Sequence, residues 1–159
     1  MAAAKVLLID DDEDFVRINR AYLEQAGFHV LDAFSGEEGL AVAKDEHPDL
    51  VILDYMMAWQ TEGSLVALAM REDAQLHNTP IILLTSVRSQ HPEPYPPAHL
   101  RQNRPIILLT SVRSQHPWWG IEKSDKYLPV DVILDKPVRP DRLISAIKTL
   151  LSQKQPSAG

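Results

Sequence analysis

Apolar residues gather along this chain in short blocks, and the polar residues that interrupt them mark turns. Lys5 to Ile9, His29 to Phe34, Leu50 to Leu53, Ile81 to Leu84 and Val132 to Leu134 are the blocks. Each is too short for a helix and most are rich in Val, Ile and Leu. They predict strands, and the unbroken runs predict strands buried on both faces. Segments with helical spacing lie between them. Phe15, Ile18, Tyr22 and Leu23 share one stripe of a helix predicted from Asp11 to Ala26, with Gly27 at its C-cap. Ser35-Gly36-Glu37-Glu38 reads as a capping box that opens a second helix through Leu40, Val42 and Ala43, ended by Pro48. A third, from about Gly63 to Arg71, is apolar nearly all round (Leu65, Val66, Leu68, Met70), which predicts heavy burial. The last has Pro140 in its first turn, where a missing N–H costs nothing, and turns Leu143, Ile147, Leu150 and Leu151 inward. Strands and helices alternating in this way predict an α/β fold, a doubly wound parallel sheet with right-handed crossovers. The expected layout is one domain over residues 1–152 and a polar, disordered tail over 153–159.

The pattern breaks before the last strand. Pro80 to Pro92 reads PIILLTSVRSQHP, and Pro105 to Pro117 repeats those thirteen residues letter for letter. Two copies with different flanks make a segmental duplication and not a solenoid. Ten of the twelve prolines fall between Pro80 and Pro140, so the linking Glu93-Pro94-Tyr95-Pro96-Pro97 is expected to be extended or turn-like. The insert is placed at about 87–130. The crossover helix expected there has no clear amphipathic pattern, its nearest candidate being about Gly120 to Tyr127. Either copy could supply the fourth strand. The first keeps the connection from the third helix short, which favours Thr85 over Thr110 at that strand's end. The spare copy still has Ile106 to Leu109 to bury, at the sheet edge beside the last strand or against another molecule.

Composition narrows the classes. The 159 residues are 45% hydrophobic and 24% charged, enough for a real core. A net charge of −6 without a basic block argues against nucleic acid as a partner. The chain has no cysteine, so disulfides and thiolate metal sites are excluded, which fits a reducing compartment. No apolar run approaches membrane-spanning length, and Met1 to Ala4 is too short for a signal peptide. A soluble, cytoplasmic protein with no membrane partner is expected.

The chemistry lies where the strands end. In open α/β sheets, ligands bind outside the carboxyl ends of the strands. Val6 to Ile9 runs into Asp10-Asp11-Asp12, Val51 to Leu53 into Asp54, Ile81 to Leu84 into Thr85-Ser86, and Val132 to Leu134 into Asp135-Lys136. If these tips meet, Asp10 and Asp11 face Asp54. A pair of like charges at ~4 Å costs about 4 kcal/mol at an effective dielectric near 20, so the cluster wants a cation. Oxygen ligands without histidine favour Mg²⁺ over zinc. A carboxylate nucleophile with Mg²⁺, a lysine and a threonine hydroxyl makes a site for accepting a phosphoryl group onto aspartate. Asp12 reads instead as a solvated start to the first helix, where acids suit the dipole.

Leu8-Ile9-Asp10-Asp11-Asp12, Leu53-Asp54-Tyr55-Met56-Met57, Leu83-Leu84-Thr85-Ser86 and Leu134-Asp135-Lys136-Pro137 together resemble the four motifs of the receiver domain of two-component response regulators. The resemblance spans nearly the whole chain except the insert. It implies a flavodoxin-like, five-stranded sheet in the order 2-1-3-4-5 and Mg²⁺-dependent phosphotransfer from a histidine kinase or phosphotransfer protein to Asp54. It also implies that Asp11 binds the metal directly, Asp10 does so through water, and the carbonyl of Met56 completes the metal site. Thr85 would grip the phosphoryl group, Lys136 would pair with one of its oxygens, and the Lys136–Pro137 bond would be cis. Three features depart from the family pattern. Met57-Ala58 stands for the usual Met-Pro, with the loop to Gly63 one residue longer. Ile133 stands where a switch aromatic is expected. The insert resembles a subgroup with an extended segment before the last strand.

The expected function is therefore that of a stand-alone phosphoacceptor receiver signalling to a downstream protein by contact. It is not a conventional enzyme, although it assists its own phosphorylation and dephosphorylation. The alternative is a receiver-like interaction module that no longer switches, with the insert as its binding or homodimerising surface. A Mg²⁺-dependent phosphatase ranks last, since no second acid stands two residues after Asp54. The six histidines are scattered, and His91 and His116 recur only through the repeat. Trp118-Trp119 reads as a packing anchor for the insert, and Trp59 as a neighbour of the pocket.

Overall fold

The computed structural model describes residues 2–55, 57, 62–85, 107–108 and 130–154, the pair 107–108 by its backbone. Strands β1 (Lys5–Ile9), β2 (His29–Ala33), β3 (Leu50–Asp54), β4 (Ile81–Thr85), β5 (Ile107–Leu108) and β6 (Val132–Asp135) form one parallel sheet in the order β2-β1-β3-β4-β6-β5. Helices α1 (Glu13–Gln25), α2 (Gly36–Glu46), α3 (Glu62–Glu72) and α4 (Pro140–Lys154) flank it. The five longer strands, counted along the chain, run 2-1-3-4-5 as expected. The two-residue β5 is an addition to that order. It lies outside β6 and comes from the second copy of the repeat, while the first copy supplies β4 and places Thr85 at its end.

Alternation along each strand sorts the core into two layers. Leu7, Ile9, Val51, Leu53, Ile81, Leu83 and Ile133 pack on one face with Ala43 of α2 and Val66, Ala67 and Met70 of α3. Val6, Leu8, Leu50, Ile52, Ile82, Leu84, Val132 and Leu134 pack on the other with Val16 and Leu23 of α1 and Leu143, Ala146, Ile147 and Leu150 of α4. All five residues of β3 are buried, as befits the central strand of a sheet covered on both sides.

The ends of the helices follow local chemistry. Asp12 caps α1 by accepting from the Phe15 amide, so this helix begins two residues later than expected. At its end Gly27 takes φ +96°, and the bonds Phe28 N to Leu23 O and Gly27 N to Glu24 O close a Schellman turn. Ser35 Oγ accepts from Glu38 N, while the Glu38 carboxylate reaches back to the Phe34 amide, a capping box displaced by one residue. Helix α4 runs to Lys154, two residues into the stretch expected to be tail.

Two expected faces are corrected. On α1, Ile18 and Tyr22 are 53% and 45% exposed, and the inner stripe is Val16, Asn19 and Leu23 with Phe15 partly buried. On α3, burial is not all round, because Leu65 is 61% exposed. Trp59, His91, His116, Trp118, Trp119, the helix anticipated near Gly120 to Tyr127 and residues 155–159 lie outside the described residues. Among the described residues, no helix is long and apolar enough to cross a membrane.

Candidate functional site

The parallel ladders carry the strand tips to one rim. Ile9 pairs with Leu53, Asp54 with Leu84, and Thr85 with Asp135, so the residues that follow or complete these strands emerge side by side. One carboxylate oxygen from each of Asp10, Asp11 and Asp54 lies within 4.8 Å of the others. Asp10 and Asp54 are buried and Asp11 is exposed, so the cluster has a closed floor and an open mouth. Asp10 is oriented by the Asp12 amide, which donates to its Oδ1 at 3.0 Å. Lys136 Nζ donates to Asp10 Oδ2 and stands 3.5 Å from Asp54 Oδ1. The lysine thus bridges two of the three acids.

Two backbone bonds hold the strands beneath these side chains. Lys136 N donates to Thr85 O at 2.7 Å, and Tyr55 N to Leu84 O at 2.8 Å. Thr85 is fully buried at the end of β4. The Lys136–Pro137 peptide is cis. The structure therefore brings together Asp10, Asp11, Asp54 and Lys136, and sets Thr85 on the adjoining tip. Met56, expected to offer its carbonyl, lies outside the described residues.

Other residues shape the site without having been singled out for it in the sequence. The Phe15 ring lies under the Lys136 amine, 4.2 Å from Nζ to the ring centroid. Its sequence signal was only a place on the stripe of α1. Gly63 opens α3 against the end of β3, where an added Cβ would come within 2.4 Å of Asp54 O and 2.8 Å of Tyr55 Cα. Glu62 Oε1 accepts from the Gly36 amide at 2.7 Å and so ties the start of α3 to that of α2. Tyr55, next to the acid cluster in sequence, is fully buried; burial raises its phenol pKa, an effect partly offset by Ser64.

The donor set of the acid cluster fits a cation. It offers oxygen donors only, two of them withdrawn from water, and like charges at this separation repel. Mg²⁺ suits such donors, and Asp10, Asp11 and Asp54 are the residues that would hold it.

The family model of the response regulator receiver domain matches residues 6–93, more than half of the chain. The chain belongs to that family. A probable transcriptional regulator, ycf27, of Porphyridium aerugineum is 39% identical over 87 residues, which are 55% of this chain and 35% of that protein. The transcriptional regulatory protein CpxR of Klebsiella pneumoniae is 37% identical over 86 residues, 54% of this chain and 35% of that one. This chain thus spans about a third of the length of these curated relatives. Among solved structures, the chemotaxis protein CheY4 of Vibrio cholerae superposes with a TM-score of 0.66 at 26% identity, covering 94% of this chain and 99% of that one. The receiver fold, with its five long strands in the order 2-1-3-4-5, is established on both counts.

Proposed function

We propose that this receiver domain accepts a phosphoryl group on Asp54 from a histidine kinase or phosphotransfer protein and passes the signal on by protein contact. The observation that carries the reading is the convergence of Asp10, Asp11 and Asp54 within 4.8 Å, with the Lys136 amine reaching both buried acids. An Asp54 carboxylate oxygen forms the new bond to phosphorus while the bond to the donor's nitrogen or oxygen breaks. The leaving group takes the electron pair. Bound Mg²⁺ would supply positive charge to the transferring phosphoryl oxygens. Asp10 and Asp11 are placed to hold that ion. Lys136, which follows β6 and reaches across the end of β4 to 3.5 Å from Asp54, offers the second positive charge. Thr85 is the hydroxyl assigned to the phosphoryl group. The domain acts as substrate and assistant of its own phosphorylation, not as an enzyme with turnover, and its place is the cytoplasm.

The test is incubation with Mg²⁺ and acetyl phosphate, followed by intact mass. An adduct of one phosphoryl group, stable in acid, labile in base and absent in Asp54→Asn, is expected. No adduct at all would overturn the reading.

One observation favours a second reading. Ile133, fully within the core, occupies the position where the family pattern places a switching aromatic. A receiver-like module that binds partners without switching, or pairs with itself through the insert, would leave Asp54 unmodified and its contacts insensitive to phosphodonor.

A further inference from the structure

The duplicated segment is the feature that phosphotransfer leaves unexplained, and the sheet gives it a place. Strand β6 has a neighbour on each side. On one, β4 sets Ile82 opposite Val132 and Leu83 opposite Ile133. On the other, β5 sets Ile107 opposite Val132 and Leu108 opposite Ile133. Ile82 and Ile107 are the same residue of the repeat, as are Leu83 and Leu108. The two copies therefore flank β6 in one common register and one common direction.

We propose that the slot between β3 and β6 is a binding site for the repeat itself, and that the two copies exchange within it. The slot recognises backbone and apolar side chains. Ile81 and Leu83 fill one core layer and Ile82 and Leu84 the other, and the second copy offers the same four residues in the same order. The anchors at the slot's entrance are equally indifferent. Val51 N donates to Pro80 O at 2.9 Å, Asp131 N to Ile81 O at 2.9 Å, and Ile81 N to Asp131 Oδ2 at 2.8 Å. All three use the backbone of a Pro-Ile pair that both copies contain. The central slot offers β4 four paired positions with β6 and a second neighbour in β3, whereas β5 pairs at two positions on an edge. Both copies therefore compete for the centre, and the edge holds the other.

The bias between them comes from the flank. Arg71 Nη1 donates to His77 O at 3.1 Å and Thr79 O at 2.6 Å, carbonyls that precede the first copy only. Charge-assisted bonds of this kind are each worth about tenfold or more in an equilibrium. The first copy is held in the centre and the exchanged form is the minor one. Both copies continue from Leu-Leu to threonine, so exchange changes which repeat faces β3 without changing the residue types it brings.

Exchange of the repeats does not depend on phosphotransfer and is tested without it. The chain has no cysteine, so introduced pairs report alone. Leu53 lies opposite Leu83 across β3 and β4. Leu53→Cys with Leu83→Cys reports the first copy in the centre, and Leu53→Cys with Leu108→Cys reports the second. Both are equilibrated in a glutathione redox buffer, and the bonds in the monomer fraction are read by peptide mass spectrometry. The 53–83 bond should dominate, the 53–108 bond should form at about one per cent of it, and Arg71→Met, which removes both flank bonds, should raise that share about tenfold or more. Absence of the 53–108 bond with and without Arg71→Met overturns the proposal, as does a 53–108 bond found only between chains. If the Leu53 variants do not fold, Val51→Cys paired with Ile81→Cys or with Ile106→Cys is read in the same way.

Discussion

Lys136 is surrounded by charge of one sign and by one ring. Asp10 and Asp54 draw the amine toward the acid cluster, and Phe15 fills the space beneath it. A cation over an aromatic face gains about 1 kcal/mol at a partly exposed site. Phe15→Leu keeps the apolar contact with the core and removes the quadrupole. It should lower the rate of adduct formation from acetyl phosphate by about fivefold, the equivalent of about 1 kcal/mol, while Phe15→Tyr should restore most of it. Equal rates in all three chains would show that the ring is only packing. Tyr55 makes a different prediction. Burial raises its phenol pKa in the folded state, so the unfolded chain ionises first as pH rises. The unfolded state then binds fewer protons than the native one, and stability falls. That contribution is intact below the ordinary tyrosine pKa and is lost as pH climbs through the raised value. Denaturant melts from pH 9 upward should show a loss in the native chain that is reduced in Tyr55→Phe.

Elements place these residues through close approaches. Gly63 lets the first turn of α3 rest on the backbone of Asp54 and Tyr55, and its amide donates to Tyr55 O at 3.2 Å. Gly63→Ala puts a methyl against backbone that cannot yield, which should cost about 1–3 kcal/mol and push α3 from the end of β3. Chemical denaturation should show the loss, and adduct formation should fall with it. Gly39→Ala should be costly for a related reason, since its methyl would come within 2.4 Å of Cδ1 and 2.9 Å of Cγ1 of Ile9, a β-branched side chain fully buried in the core. Four of the five predicted strands were legible in the sequence because their apolar runs are short, continuous and stopped by polar residues that include the site residues; β2, with Asp32 inside it, was read from its flanks. The inner face of α1 was not. Its buried stripe contains Asn19, whose amide donates to Phe15 O at 2.9 Å within the same helix. A polar side chain satisfied by its own backbone can be buried, and nothing in hydrophobic spacing reveals that. The apolar stripe through Ile18 and Tyr22 looked better and faces water. Asp54 and Lys136 were legible by contrast, because each alone has a bland explanation, but acids, a threonine and a lysine at four strand tips together have few.

At the scale of the whole molecule, the two ends of the sheet do different work. The carboxyl end collects acids that repel. Mg²⁺ should therefore stabilise the domain: at 100 times its Kd, binding to the native state alone adds about 2.7 kcal/mol, or roughly 5–10 °C in Tm for a chain of this size. Calorimetry with and without Mg²⁺ checks this, and Asp10→Ala should remove most of the rise. The amino end is braced. Arg71 Nη2 donates to Asp131 Oδ2 at 2.9 Å with both side chains largely buried, and the same carboxylate receives the Ile81 amide. Arg71→Met leaves that acid without its cation and should cost about 3 kcal/mol, read as a lower denaturant midpoint with an unchanged slope.

That brace has a consequence for how the chain can be rewritten. It fixes the starting points of β4 and β6 from below, through residues 71, 77, 79, 81 and 131, at the opposite end of the strands from the acids. Peptide spliced in after Thr85 therefore joins two ends that are already moored. Deletion of the second repeat leaves β4, Thr85 and the brace in place, which makes the stretch between Thr85 and Asp131 the natural port for fitting the domain with a new partner.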